Sequence, residues 1–138
     1  MKLKIQRIPP NGSHIFVAGK IGTKKVLCLI DTGASKSVVD KKFISENFSN
    51  YKVIQTEHST TGLGANYTNS EFVVIPEWII GDFTLRNHKT GLLDLSVVNT
   101  AYTMAGLKPI TIIIGGDILL KYQSVIDYKK KVLRLMKK

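Results

Sequence analysis

Val26-Leu27-Cys28-Leu29-Ile30-Asp31-Thr32-Gly33-Ala34-Ser35-Lys36-Ser37-Val38-Val39 is the stretch on which the fold turns. Its first five residues form an unbroken aliphatic run, the pattern of a strand covered on both faces. The run ends on a carboxylate with no polar transition. A carboxylate so placed is held at the rim of the core, which suits an acid or base. The Thr32 hydroxyl can tie the loop, and Gly33 lets another backbone come close. The same three residues also make an ordinary Asx turn, which Asp and Gly favour at strand ends for structural reasons alone. Asp31, Thr32 and Gly33 are therefore candidate site residues, with a simple turn as the competing reading.

The flanking sequence is written in β signals, short apolar or alternating runs punctuated by Gly, Pro, Asn and Asp. Before the key stretch, residues 3–8, 14–21 and 25–30 read as strands separated by Pro9-Pro10-Asn11-Gly12 and Gly22-Thr23. After it, residues 37–40 read as a short strand and 41–48 as a two-turn helix with Asp40 as N-cap. Strands are expected over residues 51–57 and 69–75, flanking Thr60-Thr61-Gly62-Leu63-Gly64-Ala65-Asn66, whose glycines suit a hairpin tip. A hairpin follows over residues 78–85 around Gly81-Asp82, then a strand over 92–95 and a helix over 96–107 capped by Ser96. Residues 110–114 form a buried strand that runs into Gly115-Gly116-Asp117, and 118–122 supply one or two helical turns. Residues 125–127 and 132–135 close the chain as a hairpin. No heptad pattern or internal duplication is present.

At 138 residues and 15.3 kDa, the chain is expected to be a single domain over residues 1–138, long enough to bury roughly two thirds of its unfolded surface. Hydrophobic residues at 43% and charged residues at 22% exclude a disordered segment. The formal charge of +10 raises the question of an anionic partner. The excess is spread thinly, and its densest cluster (Lys129, Lys130, Lys131, Arg134, Lys137, Lys138) reads as a solvated edge, so nucleic acid is not an expected partner. One cysteine, Cys28, allows neither an intrachain disulfide nor a cysteine-based zinc set, which fits a reducing, cytoplasmic compartment. The N-terminus lacks the apolar region of a secretory signal, and no apolar run approaches the roughly 18 residues of a membrane span.

The segment from Val26 to Val39 resembles the catalytic loop of aspartic proteases, especially the retroviral-type, retropepsin-like branch. Ile112-Ile113-Ile114-Gly115-Gly116-Asp117-Ile118-Leu119 is similar to that family's second signature, two apolar residues and a glycine before a short helix. Ser124-Val125-Ile126-Asp127-Tyr128 through Leu133 resembles its closing strands. Thr61-Gly62-Leu63-Gly64-Ala65 lies where the family places its substrate-covering flap. The resemblance runs from about residue 13 to residue 136, and its first motif is the most specific. It implies an all-β, closed-barrel-like acid protease domain with one or two short helices.

The resemblance further implies peptide-bond hydrolysis, with Asp31, Thr32 and Gly33 as the catalytic triplet. Ala34, Ser35, Gly62, Leu63, Gly64, Ala65, Ile114 and Gly115 would contact substrate. The family's chemistry needs two carboxylates sharing one site, and each chain carries a single Asp-Thr-Gly; Asp40, Asp82, Asp94, Asp117 and Asp127 lack that context. A catalytic form should then be a homodimer in which two copies of Asp31 meet on a two-fold axis. Thr32 would bind across that interface, and the flap would close over an extended peptide. No cofactor is implied. A dimerisation or peptide-binding module that keeps the fold but leaves the site idle is the alternative.

The chain departs from the viral pattern in three places. Ser35 stands where viral enzymes often carry an acidic residue. Eighty-four positions separate Asp31 from Gly115, more than in the viral enzymes, with the surplus around residues 83–108. That insertion is free to shape a pocket, extend the interface or block the cleft. The viral dimer is sealed by a sheet of terminal strands, and either residues 1–8 or 131–138 could take that part. Elsewhere, His14, His58 and His88 have no metal-ligand spacing, Cys28 reads as a buried core thiol, and Trp78 reads as a core anchor. Gly115-Gly116-Asp117 lacks the residues of a phosphate-binding loop.

Overall fold

A computed structural model describes residues 1–60 and 66–137, and for residues 57–60 and 66–69 the backbone alone. The continuous aliphatic run becomes β3 (Lys24–Ile30), flanked by β1 (Lys4–Ile8) and β2 (Gly12–Ile21) on one side. Then come β4 (Val38–Asp40), α1 (Lys41–Asn47), β5 (Val53–Thr60), β6 (Asn66–Ile80), β7 (Phe83–Leu93) and α2 (Ser96–Met104). The chain ends with β8 (Ile112–Ile114), α3 (Gly116–Lys121), β9 (Val125–Asp127) and β10 (Val132–Arg134).

The main sheet runs β1-β2-β3-β8-β4-β7-β6-β5, and a further β2–β6 pairing, Gly19 to Ile80 through Ile21 to Trp78, closes it into a ring. This is the barrel-like, mostly β architecture expected from the sequence. β3 and β8 are parallel, as are β4 and β7, whereas β4 and β8 are antiparallel. β9 and β10 form a separate hairpin. Residues 1–3 lie against β10, with the Met1 ammonium on the Leu133 carbonyl at 2.8 Å and the Leu3 N–H on the Lys131 carbonyl at 2.9 Å.

Side-chain alternation splits β2 and β3 between two apolar clusters. Ile15, Val17, Val26, Cys28 and Ile30 point into the ring, where Trp78, Ile75, Ile80 and Ile112 complete the main core. Phe16 points the other way, to a second cluster with Leu95, Tyr102 and Ile110, against which Leu27 and Leu29 pack. The aliphatic run of β3 is continuous because both of its faces are covered. α2 carries part of that second cover, so the surplus chain after residue 83 forms β7 along β6 and then a lid over this outer face.

Several local expectations are corrected. The three stretches read as helical all form short helices, and α3, six residues long with Ile118 and Leu119 buried, begins two residues earlier than expected. Asp40 occupies the N-cap position of α1 but makes no cap bond; its Oδ1 accepts from the Leu95 N–H at 3.2 Å instead. Ser96 is the first residue of α2 and not its cap, and Asp94 Oδ1 accepts the Ser96 N–H at 2.9 Å. α2 stops at Met104, short of residue 107, because Gly106 turns left-handed at φ 75° and Leu107 N–H bonds back to the Tyr102 carbonyl. β8 is three residues long because the N–H and carbonyl of Ile110 are both taken by the Asn99 side chain. β6 continues through Pro76, which falls between the stretch paired to β5 and the stretch paired to β2 and opposite a kink at Asn87, φ 51°.

Candidate active site

β3 delivers Asp31 to the end of the covered strand, where its backbone N–H donates to the Ile114 carbonyl of β8 at 2.9 Å. Asp31 is half-buried and Thr32 and Gly33 are exposed. Asp31 Oδ1 accepts the Gly33 N–H at 3.0 Å, and the Asp31 carbonyl accepts the Ala34 N–H at 3.2 Å. The Asx turn and the candidate site are thus one structure. The turn uses one carboxylate oxygen and leaves the group accessible.

The rest of the loop is clamped to the start of α3. Ala34 and Ser35 carbonyls accept the N–H groups of Gly116 at 2.7 Å and Asp117 at 3.1 Å. Ser37, only 1% exposed, donates its N–H at 3.0 Å and its hydroxyl at 2.7 Å to Asp117 Oδ1. Its Oγ in turn accepts the Gly115 N–H at 2.9 Å, and Asp117 Oδ1 also accepts the Ile118 N–H at 2.9 Å. A Cβ on Gly115 would lie 2.6 Å from the Ala34 carbonyl oxygen, closer than any real contact, so only glycine allows the two segments to meet.

Of the residues picked from the sequence, Asp31, Thr32, Gly33, Ala34 and Ser35 share this loop. Ile114 and Gly115 lie behind it, buried, and brace it. Gly62, Leu63, Gly64 and Ala65 lie outside the described residues, beyond the last β5–β6 pair, Thr60 with Asn66. Ser37 and Asp117 were not picked out as site residues. Their signal was their spacing, six residues after Asp31 and two after Gly115, which means something only once the two motifs are known to touch.

A pocket of about 410 Å³ opens beside Asp31, bounded among others by Ser13, His14, Leu29, Ile126 and Tyr128. His14, set aside as an isolated histidine, holds its Nδ1 2.7 Å from the Tyr102 hydroxyl of α2. Burial, with a smaller contribution from the Asp31 charge, pushes the Tyr102 phenol above its ordinary range. A larger cavity of about 550 Å³ lies between α1 and α2 and does not reach Asp31. Among the described residues no three His, Cys, Asp or Glu side chains converge as a metal site.

Cys28 and Trp78 belong to the core. Cys28 is fully buried, and burial pushes its thiol up to about 12, partly offset by the neighbouring Trp78 indole. Trp78 Nε1 lacks a partner of full hydrogen-bond geometry among the described residues. His88 packs edge-on to Trp78 and shares a 2.8 Å bond between Nδ1 and the Thr90 hydroxyl. No helix among the described residues is long and apolar enough to cross a membrane.

Comparison with known proteins agrees with this geometry. No curated protein sequence matches the chain. Among solved structures, the retroviral protease-like domain of Ddi1 from Leishmania major is similar at 17% identity and a TM-score of 0.58, covering 87% of this chain and 86% of that one. A retropepsin-like aspartic protease from Rickettsia conorii is similar at 16% identity and a TM-score of 0.53, covering 94% and 95%. Both share the fold. Residues 17–118, which hold the Asp31 loop, the Gly115 brace and everything between, match the aspartyl protease family, and to that family this chain belongs.

Proposed function

We propose that the chain hydrolyses peptide bonds as a homodimer in which one Asp31 from each copy forms the catalytic pair. The observation that carries this reading is a single accessible carboxylate on a loop fixed at both ends, by Ile114 at Asp31 and by Asp117 at Ser37. Such a group is pre-positioned, and it needs one partner of its own kind. Two carboxylates in contact cannot both ionise readily, so the pair retains one proton, the known behaviour of aspartic protease dyads.

The charged Asp31 takes a proton from a water held between the two carboxyls while that water's oxygen attacks the scissile carbonyl carbon. The protonated Asp31 gives its proton to the carbonyl oxygen. Collapse of the tetrahedral species breaks the C–N bond: the amine leaves with the proton taken from water, and one hydroxyl of the diol returns its proton to the second Asp31, which restores the singly protonated pair. No covalent intermediate forms. Exposed Thr32 and Gly33 support the role of this loop at a two-fold contact. So does β9, which among the described residues pairs only with β10 and leaves Val125 43% exposed, with Tyr128 just past its end 58% exposed beside the Asp31 pocket. The first three residues are occupied by β10, which favours the β9 edge over the N-terminus as the seam between copies.

The test is cleavage of a mixed peptide pool from about pH 3 to about pH 8, at several protein concentrations, by the native chain and Asp31→Asn. Turnover that rises faster than linearly with concentration and falls by at least about a hundredfold in the variant is expected. Equal turnover by both would sink the mechanism. Silence from both, in a protein shown to dimerise, would leave a peptide-binding module.

A further inference from the structure

The face of β2 and β3 that α2 covers is not uniform along its length. At one end Phe16, Leu27 and Leu29 pack under Leu95 and Ile110. At the other, His14 is exposed, and the loop carrying Asp31 leaves the sheet at the same pocket. Tyr102 joins the two ends. Its ring is 7% exposed and meets Phe16 edge-on at 6.0 Å and His14 edge-on at 5.7 Å, and its hydroxyl lies 2.7 Å from His14 Nδ1. The histidine ring is therefore held by a rigid neighbour that is itself locked into the core.

This bond fixes what the ring offers the pocket. The part-buried phenol O–H needs an acceptor, and Nδ1 of a neutral His14 is the one it has among the described residues. With the phenol O–H donating to Nδ1, the ring proton sits on Nε2. In the imidazolium, Nδ1 donates to the phenol oxygen and Nε2 still carries a proton. His14 carries an N–H on Nε2 in either state, and it lines the pocket together with the apolar Leu29 and Ile126. A side chain entering this pocket meets aliphatic walls along its stem and a donor within reach of its end. An aliphatic side chain would leave that donor without a partner. A carboxylate would share the pocket with Asp31, and a neutral carboxamide would not be repelled.

We propose that His14, positioned by Tyr102, is a specificity-determining residue of the Asp31 pocket, selecting peptide side chains that end in a carbonyl acceptor, with glutamine preferred to its apolar isosteres. The assignment rests on the reading of this pocket as a peptide cleft, and a binding experiment separates it from turnover. Arrays of peptides varied one position at a time are probed with full-length Asp31→Asn and with the same chain carrying His14→Phe, His14→Gln or Tyr102→Phe. Circular dichroism checks that each variant is folded.

At one peptide position, Gln should outbind Met by about fivefold, the worth of one neutral hydrogen bond. His14→Phe should abolish that preference, His14→Gln should restore it through its amide N–H, and Tyr102→Phe should weaken it without loss of fold. A preference that survives His14→Phe, or the absence of any peptide binding, overturns the assignment. If the array result holds while the chain bearing Asp31 hydrolyses none of the bound peptides, the protease reading fails and the pocket assignment stands.

Discussion

Asp31 and Asp117 stand on either side of one clamp and share a residue type, yet the fold treats them in opposite ways. Asp117 Oδ1 accepts three hydrogen bonds, from the Ser37 N–H, the Ser37 hydroxyl and the Ile118 N–H, at 2.7–3.0 Å. Among the described residues Asp31 accepts one, from Gly33 two residues along, and stays half-exposed. The first carboxylate is consumed in holding the loop still. The second is held by its backbone, through the N–H on Ile114, so its side chain remains free to react. Rigidity and availability are supplied by different residues, which lets a carboxylate be well placed without being saturated.

That contrast predicts that damage to the clamp costs stability, whereas loss of Asp31 costs only chemistry. The largest effect should come from Gly115→Ala, whose methyl would press on the Ala34 carbonyl oxygen at 2.6 Å and on Lys36 backbone at 2.9 Å. Neither is a flexible side-chain end, so a loss of about 3 kcal/mol is expected in urea denaturation. Asp117→Ala leaves three donors unpaired and should cost about 2–3 kcal/mol by the same measurement. Ser37→Ala removes the hydroxyl bond to Asp117 and orphans the Gly115 N–H, for about 1–2 kcal/mol. An Asp117→Ala chain as stable as the native one would break the comparison.

The next effect is a pH slope. Burial holds the His88 imidazole below its ordinary range, with the Asp117 charge opposing in part. The unfolded chain then binds a proton more readily than the folded one. The stability this lends is whole above the ordinary histidine range and is lost as pH falls through it and through the lower folded value. Urea midpoints should therefore drop between about pH 7.5 and about pH 5, and His88→Asn should flatten part of that drop. A steeper slope in the variant would reverse the sign. The smallest expected effect is Asp31→Asn, whose unfolding free energy should stay within about 0.5 kcal/mol of native because the side chain has, among the described residues, a single local partner.

Much of this was legible before any coordinates. The alternation of β2, the unbroken run of β3 and the turn residues at Gly22 and Gly81, both left-handed at φ 57° and 59°, put the strands and hairpins nearly where they lie. Asp40 holds the N-cap position of α1 but its side chain bonds Leu95 fifty-five residues away, and Ser96 was misread as a cap because Asp94, two residues earlier, accepts its N–H.

By itself the sequence determined the strand periodicity, the Asp31 turn and the family, because each rests on neighbours within a few residues, where backbone sterics and alternation decide. Only the tertiary structure decided that Ser37 and Asp117 form one clamp, that α2 roofs the outer face of β2 and β3, and that Tyr102 reaches His14 eighty-eight residues away. Those contacts join segments whose separation along the chain carries no periodic signal. They exist because closing the sheet into a ring leaves one place for each exposed apolar face to be covered.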